Sequence, residues 1–410
     1  MKYIFSFLLL VFVQLAASAQ TYNLDYYVNQ SVTNSPLLKD INNQVLLAQL
    51  DSLRIRAGFK PQVNFNSGGL YAPVIGGYGY AGAITNNYTL NGLVNVNKSF
   101  IGKNFLGAQF YGLQLRRDSL GNLSKLSQQD LRRNIVSQYV TAYGDLQQYR
   151  FSKEVVTLLS TEEEILKKLT RSNVYRQTDY LTFLVTLKQQ QLQAAQSRLQ
   201  YKNDFAILNY LAGVRDTAFK EIADPVLNKA TLPVEATSIF FKQYRIDSLR
   251  FGNARKLISY SYRPRLNAFA DAGYNTDFVD PAHNFGTSVG FSLVIPIYDG
   301  GVKKLLYKRL TLEEQTRLNY KAFFTNQYRQ QIDQYSQQIA ENEKLLVDIN
   351  EQIKYTESLI KVDTKLLQTG DLKISDLILA VNNYLTVKNL LTTTTISRLQ
   401  LINQYNYFNR

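Results

Sequence analysis

Phe59-Lys60-Pro61-Gln62-Val63-Asn64 returns about 200 residues later as Tyr262-Arg263-Pro264-Arg265-Leu266-Asn267. Two more landmarks follow in the same order. Leu93-Val94 ahead of Lys103 matches Leu293-Val294 ahead of Lys303, and Asn173 to Asp179 matches Gly370 to Asp376. Three landmarks at nearly constant separation imply a duplicated unit. The repeats are expected over 20–212 and 237–410, joined by a linker over 213–236 that carries Pro225 and Pro233.

Each repeat gives the same order of signals. Residues 24–58 read as a helix, with Leu37, Ile41, Val45, Leu46, Leu50 and Leu53 at helical spacing, stopped by Pro61. Strands are then expected within about 61–99. Val63 and Phe65 alternate with Asn64 and Asn66, and Leu90, Gly92, Val94 and Val96 alternate with Asn91, Asn95 and Asn97. A loop with Gly76, Gly77, Gly79 and Gly82 lies between them. The second repeat places its strands within about 264–299. These run through Leu266, Ala268, Ala270, Ala272 and Tyr274, then Val289, Phe291, Leu293, Ile295 and Ile297. Apolar residues on one face and asparagine on the other fit a membrane barrel strand, and a soluble hairpin packed on a core gives the same alternation.

Long helical stretches follow each hairpin, over roughly 103–172 and 301–369, each about 100 Å at 1.5 Å per residue. In the second, Ile332, Ile339, Leu346, Ile353, Ile360 and Leu367 repeat every seventh residue. Their partners Tyr335, Asn342, Ile349, Thr356 and Asp363 are mixed, which suits a helix with neighbours on both sides and water on one face. The long helices end at Ser172-Asn173 and Thr369-Gly370, residues that take the left-handed conformation a helix C-terminus needs. Shorter helices return over 176–211 and 374–409. In each repeat the two short helices together nearly match the long one, so stacked end to end they can pair with it. Thr392 to Thr395 is a β-branched run inside a predicted helix, against local propensity.

Composition narrows the setting. Met1-Lys2, an apolar run to Ala16 and Ala17-Ser18-Ala19 carry the marks of a secretory signal peptide over 1–19. No later stretch is apolar enough for a transmembrane helix, so a membrane location requires strands. The absence of cysteine excludes disulfides and thiolate chemistry. The net charge of +14 is scattered along helical stretches beside Gln and Glu, without stacking aromatics. Export and this scatter argue against nucleic acid and for solvated helix faces and contacts with anionic lipid or lipopolysaccharide. The lone histidine, His283, falls in the second hairpin loop away from any acid–base constellation. No phosphate loop or metal motif appears, so neither enzyme nor cofactor is expected. Two repeats supply four strands, too few to close a barrel, and an open edge is not tolerated in lipid; the subunit must oligomerise.

Leu293-Val294-Ile295-Pro296-Ile297-Tyr298-Asp299-Gly300-Gly301 resembles the strand-to-helix junction of the TolC-like outer-membrane factor family. Thr369-Gly370 followed by Ile374-Ser375-Asp376-Leu377 is similar to that family's periplasmic helix turn. The resemblance covers essentially the whole mature chain. It implies a mainly α fold with a transmembrane β-barrel portion: a homotrimer with a 12-stranded barrel and a long α-helical barrel. It further implies efflux or secretion, with a periplasmic adaptor and an inner-membrane transporter of RND or ABC type as partners. The adaptor-contact tip would be Ser172, Asn173, Val174 and Tyr175 with Thr369, Gly370, Asp371 and Leu372, residues that also serve as plain helix caps. Asp376 matches an aspartate that forms a ring at the pore entrance in some members, though an acid near a helix start is also favoured by the dipole. Asp179 holds the equivalent place, where members latch the tip closed. Leu379 stands where a second acid ring would be, and Leu367 and Leu372 replace expected polar partners, so the family's latch is not assumed here and closure by apolar contacts is the alternative. A rival reading, a periplasmic adaptor, would have one central helical hairpin between β-rich halves.

Overall fold

The computed structural model describes residues 22–80, 88–216, 218, 220–276 and 283–409. The expected signal peptide and Gly82 lie outside the described residues. Helices α1 (Leu24–Asn34) and α2 (Pro36–Gly58) lead to strands β1 (Gln62–Tyr71) and β2 (Tyr88–Phe100). Helices α3 (Lys103–Arg171), α4 (Gln177–Ala212) and α5 (Ile239–Ser261) follow. Strands β3 (Arg265–Thr276) and β4 (Phe285–Val294) and helices α6 (Val302–Thr369) and α7 (Ile374–Asn406) complete the order.

The expected single helix over 24–58 is two helices. Ser35 is extended at ψ 116°, and its hydroxyl accepts from Leu38 N–H at 3.3 Å while Pro36 opens α2. Proline at a first helical position forfeits no intrahelical bond but bars the residue before it from helix. The second hairpin is also shorter than expected. Strand β4 stops at Val294, so Ile295 and Ile297 lie outside the sheet, flanking Pro296, which has no N–H to donate. The last helix ends at Asn406 rather than 409.

Two compact units form, and neither coincides with a sequence repeat. One gathers the chain up to Lys39, Lys125–Phe240 and Phe324 onward; the other gathers Asp40–Ser124 and Phe241–Phe323.

The Asp40–Ser124/Phe241–Phe323 unit carries one antiparallel sheet in the order β1-β2-β3-β4. Its register aligns Val63, Val96, Ala270 and Val289 on one face, and Asn64, Asn95, Asp271 and Ser288 on the other. The apolar face is open: Phe65 is 68 % exposed, Val289 86 % and Phe291 79 %. On the polar face the Ser288 hydroxyl donates to Asp271 Oδ2 at 2.5 Å. Edges β1 and β4 lack strand partners among the described residues. Helix segments tie together through side chains: Asn253 Nδ2 donates to Ala108 O at 2.9 Å, and Arg317 bridges Glu314 at 2.6 Å while reaching Tyr244 O at 3.1 Å. The Asp299 carboxylate starts α6 by accepting from Gly301 N–H at 2.9 Å and Lys303 N–H at 2.7 Å, satisfying first-turn donors.

The other unit is helical. Tyr27, Val28, Ile135, Tyr139, Val140, Leu146, Tyr201, Phe205 and Leu208 form one core cluster drawn from α1, α3 and α4. The α4 helix ends at Gly213, whose φ of 69° is left-handed. Helices α3 and α7 approach closely at Gly144, where an added Cβ would fall 1.9 Å from Ile396 Cδ1. Thr392–Thr395 is helical despite its propensity: Thr392 and Thr393 hydroxyls donate to the Lys388 and Asn389 carbonyls at 3.1 and 3.0 Å, and Thr394 is buried. Both rows of the α6 heptad turn inward toward its C-terminal end, with Ile349, Thr356 and Asp363 buried as well as Ile353, Ile360 and Leu367.

Candidate functional site

The two helical turns are geometric copies. Val174 N–H donates to Leu169 O at 3.0 Å and Asn173 N–H to Thr170 O at 3.1 Å. Asp371 N–H donates to Leu366 O at 3.0 Å and Gly370 N–H to Leu367 O at 3.1 Å. Both are the paired closure that satisfies the last helical carbonyls and requires one left-handed residue. Asn173 (φ 60°) and Gly370 (φ 83°) supply it.

The turns touch. A Cβ on Gly370 would meet Val174 Cγ1 at 2.7 Å, and the Tyr175 hydroxyl donates to Leu372 O at 2.8 Å. Ser172, Asn173, Val174, Thr369 and Asp371 are exposed, and Tyr175 and Gly370 are half-buried. Leu372 is buried, in a cluster with Leu166, Phe183, Leu367, Ile374 and Leu377 from four helices. Leu367 and Leu372 therefore pack their apolar surface against helices of this same chain.

Asp179 and Asp376 occupy the same place in their helices but make different bonds. Asp179 Oδ2 accepts from Arg176 N–H at 3.2 Å, which satisfies a backbone donor at the helix start. Asp376 is exposed and accepts from the Ser375 hydroxyl at 3.1 Å. Beneath it, burial first and the Asp376 charge second raise the pKa of Asp363, which is 6 % exposed. Glu162 on α3 is 3 % exposed with an unpartnered Oε2, and burial raises its pKa too.

Sequence reasoning missed a second acidic pair in this unit. Asp145 on α3, with Asp204 of α4 as its neighbour, lines a cavity of about 250 Å³ together with Gln148, Gln196 and Gln200. Gln138 Nε2 donates to Asp204 Oδ1 at 3.1 Å and Gln200 Nε2 to Oδ2 at 2.6 Å. Burial, then the hydrogen bond and charge of Asp204, push Asp145 up to about 7. The two residues lie about 30 positions either side of the Asn173 turn, a spacing an antiparallel hairpin brings level. Among the described residues no group of three His, Cys, Asp or Glu gathers to hold a metal ion, and no helix is long and apolar enough to cross a membrane.

No family model and no curated protein matches this sequence. Solved structures do match by fold. The chain superposes on CusC, described in connection with transmembrane channel formation, at a TM-score of 0.76 and 11 % identity, covering 95 % of this chain and 92 % of that one. The fold is that of outer-membrane channels. The outer membrane protein VceC of Vibrio cholerae gives 0.75 at 12 % identity over 94 % and 95 % of the two chains. The open state of the Neisseria gonorrhoeae MtrE outer membrane channel gives 0.73 at 12 % identity over 95 % and 89 %. The mainly helical, small-sheet architecture expected from sequence is thus the channel fold along nearly its whole length.

Proposed function

We propose that this chain is one subunit of a homotrimeric outer-membrane channel, a passive conduit for substrates delivered by an inner-membrane pump through a periplasmic adaptor. Whole-chain likeness in fold to outer-membrane channels carries this reading. The sheet supports it: an open apolar face suits lipid, the Asn64–Asn95–Asp271–Ser288 row suits a water-filled lumen, and two unpaired edges need further copies. Three copies bring twelve strands. In this reading the repeats over 20–212 and 237–410 each supply one hairpin and one helical pair, and 213–236 joins them. Two helical hairpins, α3–α4 and α6–α7, do not fit an adaptor with a single central hairpin.

The exposed turn residues would meet the adaptor, and Asp376 from three subunits would ring the entrance, attracting cations. Transport needs no catalytic group or cofactor here, because the pump supplies the energy and selects the substrate. The test is reconstitution of the purified chain into planar bilayers after outer-membrane fractionation. Stepwise conductance with cation preference, reduced in Asp376→Asn, is expected. Recovery as a soluble periplasmic protein without channel activity would sink the proposal.

A further inference from the structure

At the helix end of the sheet lies a cavity of about 310 Å³, within the range of small ligand pockets. It opens where β2 passes into α3 and α5 into β3. Lys103, Arg263 and Arg265 contribute three cations to its lining, and no aspartate or glutamate lines it. None of the three forms an ion pair with a carboxylate among the described residues. Arg263 stacks over the Tyr260 ring at 4.6 Å, and Arg265 Nη2 donates to Ser261 O at 2.6 Å, which leaves guanidinium donors of both free.

Phe100, Ile101 and Phe105 give the wall an apolar part, beside the polar Asn104 and Ser261. Phe100 pairs in register with Leu266, and Leu266 with Leu293, forming the last row of the open apolar face. Those three side chains are 51 %, 41 % and 57 % exposed. One compartment therefore joins a cation cluster to an apolar track along the sheet. The corresponding junction in the other repeat supplies its own anion, the Asp299 carboxylate on Gly301 and Lys303 N–H. Between Ser99 and Phe105 there is no acid.

We infer that this cavity binds the phosphate of an anionic lipid, with Lys103 and Arg263 on the phosphate and an acyl chain along Phe100, Leu266 and Leu293. The inference rests on the reading that the apolar sheet face lies in the outer membrane. Arginine presents a fork of donors suited to phosphate oxygens, and charge complementarity favours a lipid bearing net negative charge over a zwitterion. The phosphate belongs either to a phosphatidylglycerol or to lipid A, and the two are separate arms of the test.

The full chain, extracted from outer membranes in non-ionic detergent, is incubated with phosphatidylglycerol, lipid A or phosphatidylcholine, and retained lipid is read by native mass spectrometry. Lys103→Gln with Arg263→Gln is compared with Lys344→Gln plus Lys354→Gln, an equal charge change on exposed α6 positions. Wild type and the α6 control should retain an anionic lipid over phosphatidylcholine. The cavity variant should retain roughly 25-fold less, about fivefold per cation. Whichever anionic lipid is held more tightly identifies the source. Equal retention by the cavity variant would overturn the site. Displacement by millimolar inorganic phosphate as readily as by phosphatidylglycerol would overturn the lipid assignment. Fractionation is read before any lipid is added, so a chain absent from outer membranes defeats the channel reading separately.

Discussion

Replacing Asp145 by asparagine isolates the buried acid pair. Folded Asp145 titrates at about 7 against an ordinary 3.8, so the folded chain holds that proton more tightly than the unfolded one. Stability from the pair is then fully present below about pH 4, is lost as pH rises to about 7, and is flat above. A pKa difference of about 3, at 1.36 kcal/mol each, sets an upper bound of roughly 4 kcal/mol, and solvent reaching the half-buried Asp145 lowers the expectation to about 2 kcal/mol. The asparagine side chain keeps the shape, carries no charge and can donate to the Asp204 carboxylate. At pH 8 the variant should therefore melt about 3 °C above wild type, at pH 4 level with it. The assay is circular dichroism melting in detergent at one fixed scan rate, because unfolding of such a protein is apt to be irreversible. The partner gives an opposite sign. Asp204→Asn turns an amide N–H toward Gln138 or Gln200, both already donors, and should cost about 2 kcal/mol at either pH. Identical pH dependence in wild type and Asp145→Asn, or a less stable Asp145→Asn at pH 8, would refute the raised pKa of Asp145.

Three further outcomes follow from local geometry. Gly370→Ala puts a Cβ against Val174 Cγ1 at a φ of 83°, and should lower stability by about 1–2 kcal/mol in thermal melts, whereas Asn173→Gly should be neutral or slightly stabilising. Gly144→Ala forces α3 away from Ile396 and should cost about 2–3 kcal/mol, largely restored by adding Ile396→Ala, which a double-mutant cycle reads directly. Asp363→Asn removes a buried charge beside Asp376 and should raise stability by about 1 kcal/mol at pH 8 and not at pH 4, since a raised folded pKa means stability lost with rising pH.

What sequence reveals here depends on whether the signal is local. Alternation from Val63 to Asn66 and from Leu90 to Asn97 reports the two faces directly, because period two holds along any paired strand. Asn173 and Gly370 report their turns because few residues accept positive φ. Pro36 and Pro296 were equally local signals; the helical spacing around one and the alternation around the other masked them. The Asp145–Asp204 pair and the Gly144–Ile396 approach depend on how helices rotate against one another, which no local pattern encodes. Burial of Leu367 has the same origin: its place in the heptad says that it packs, but not against which helix.

The account stands on strands from several copies closing one barrel. The chain has no cysteine, so introduced thiols report alone. Single cysteines placed along Gln62–Tyr71 of β1 are combined with Ser288→Cys on edge strand β4, expressed, oxidised in outer membranes and run without heating. At one register the account predicts a disulfide-linked three-copy band that collapses to monomer on reduction. Monomer at every register would contradict it.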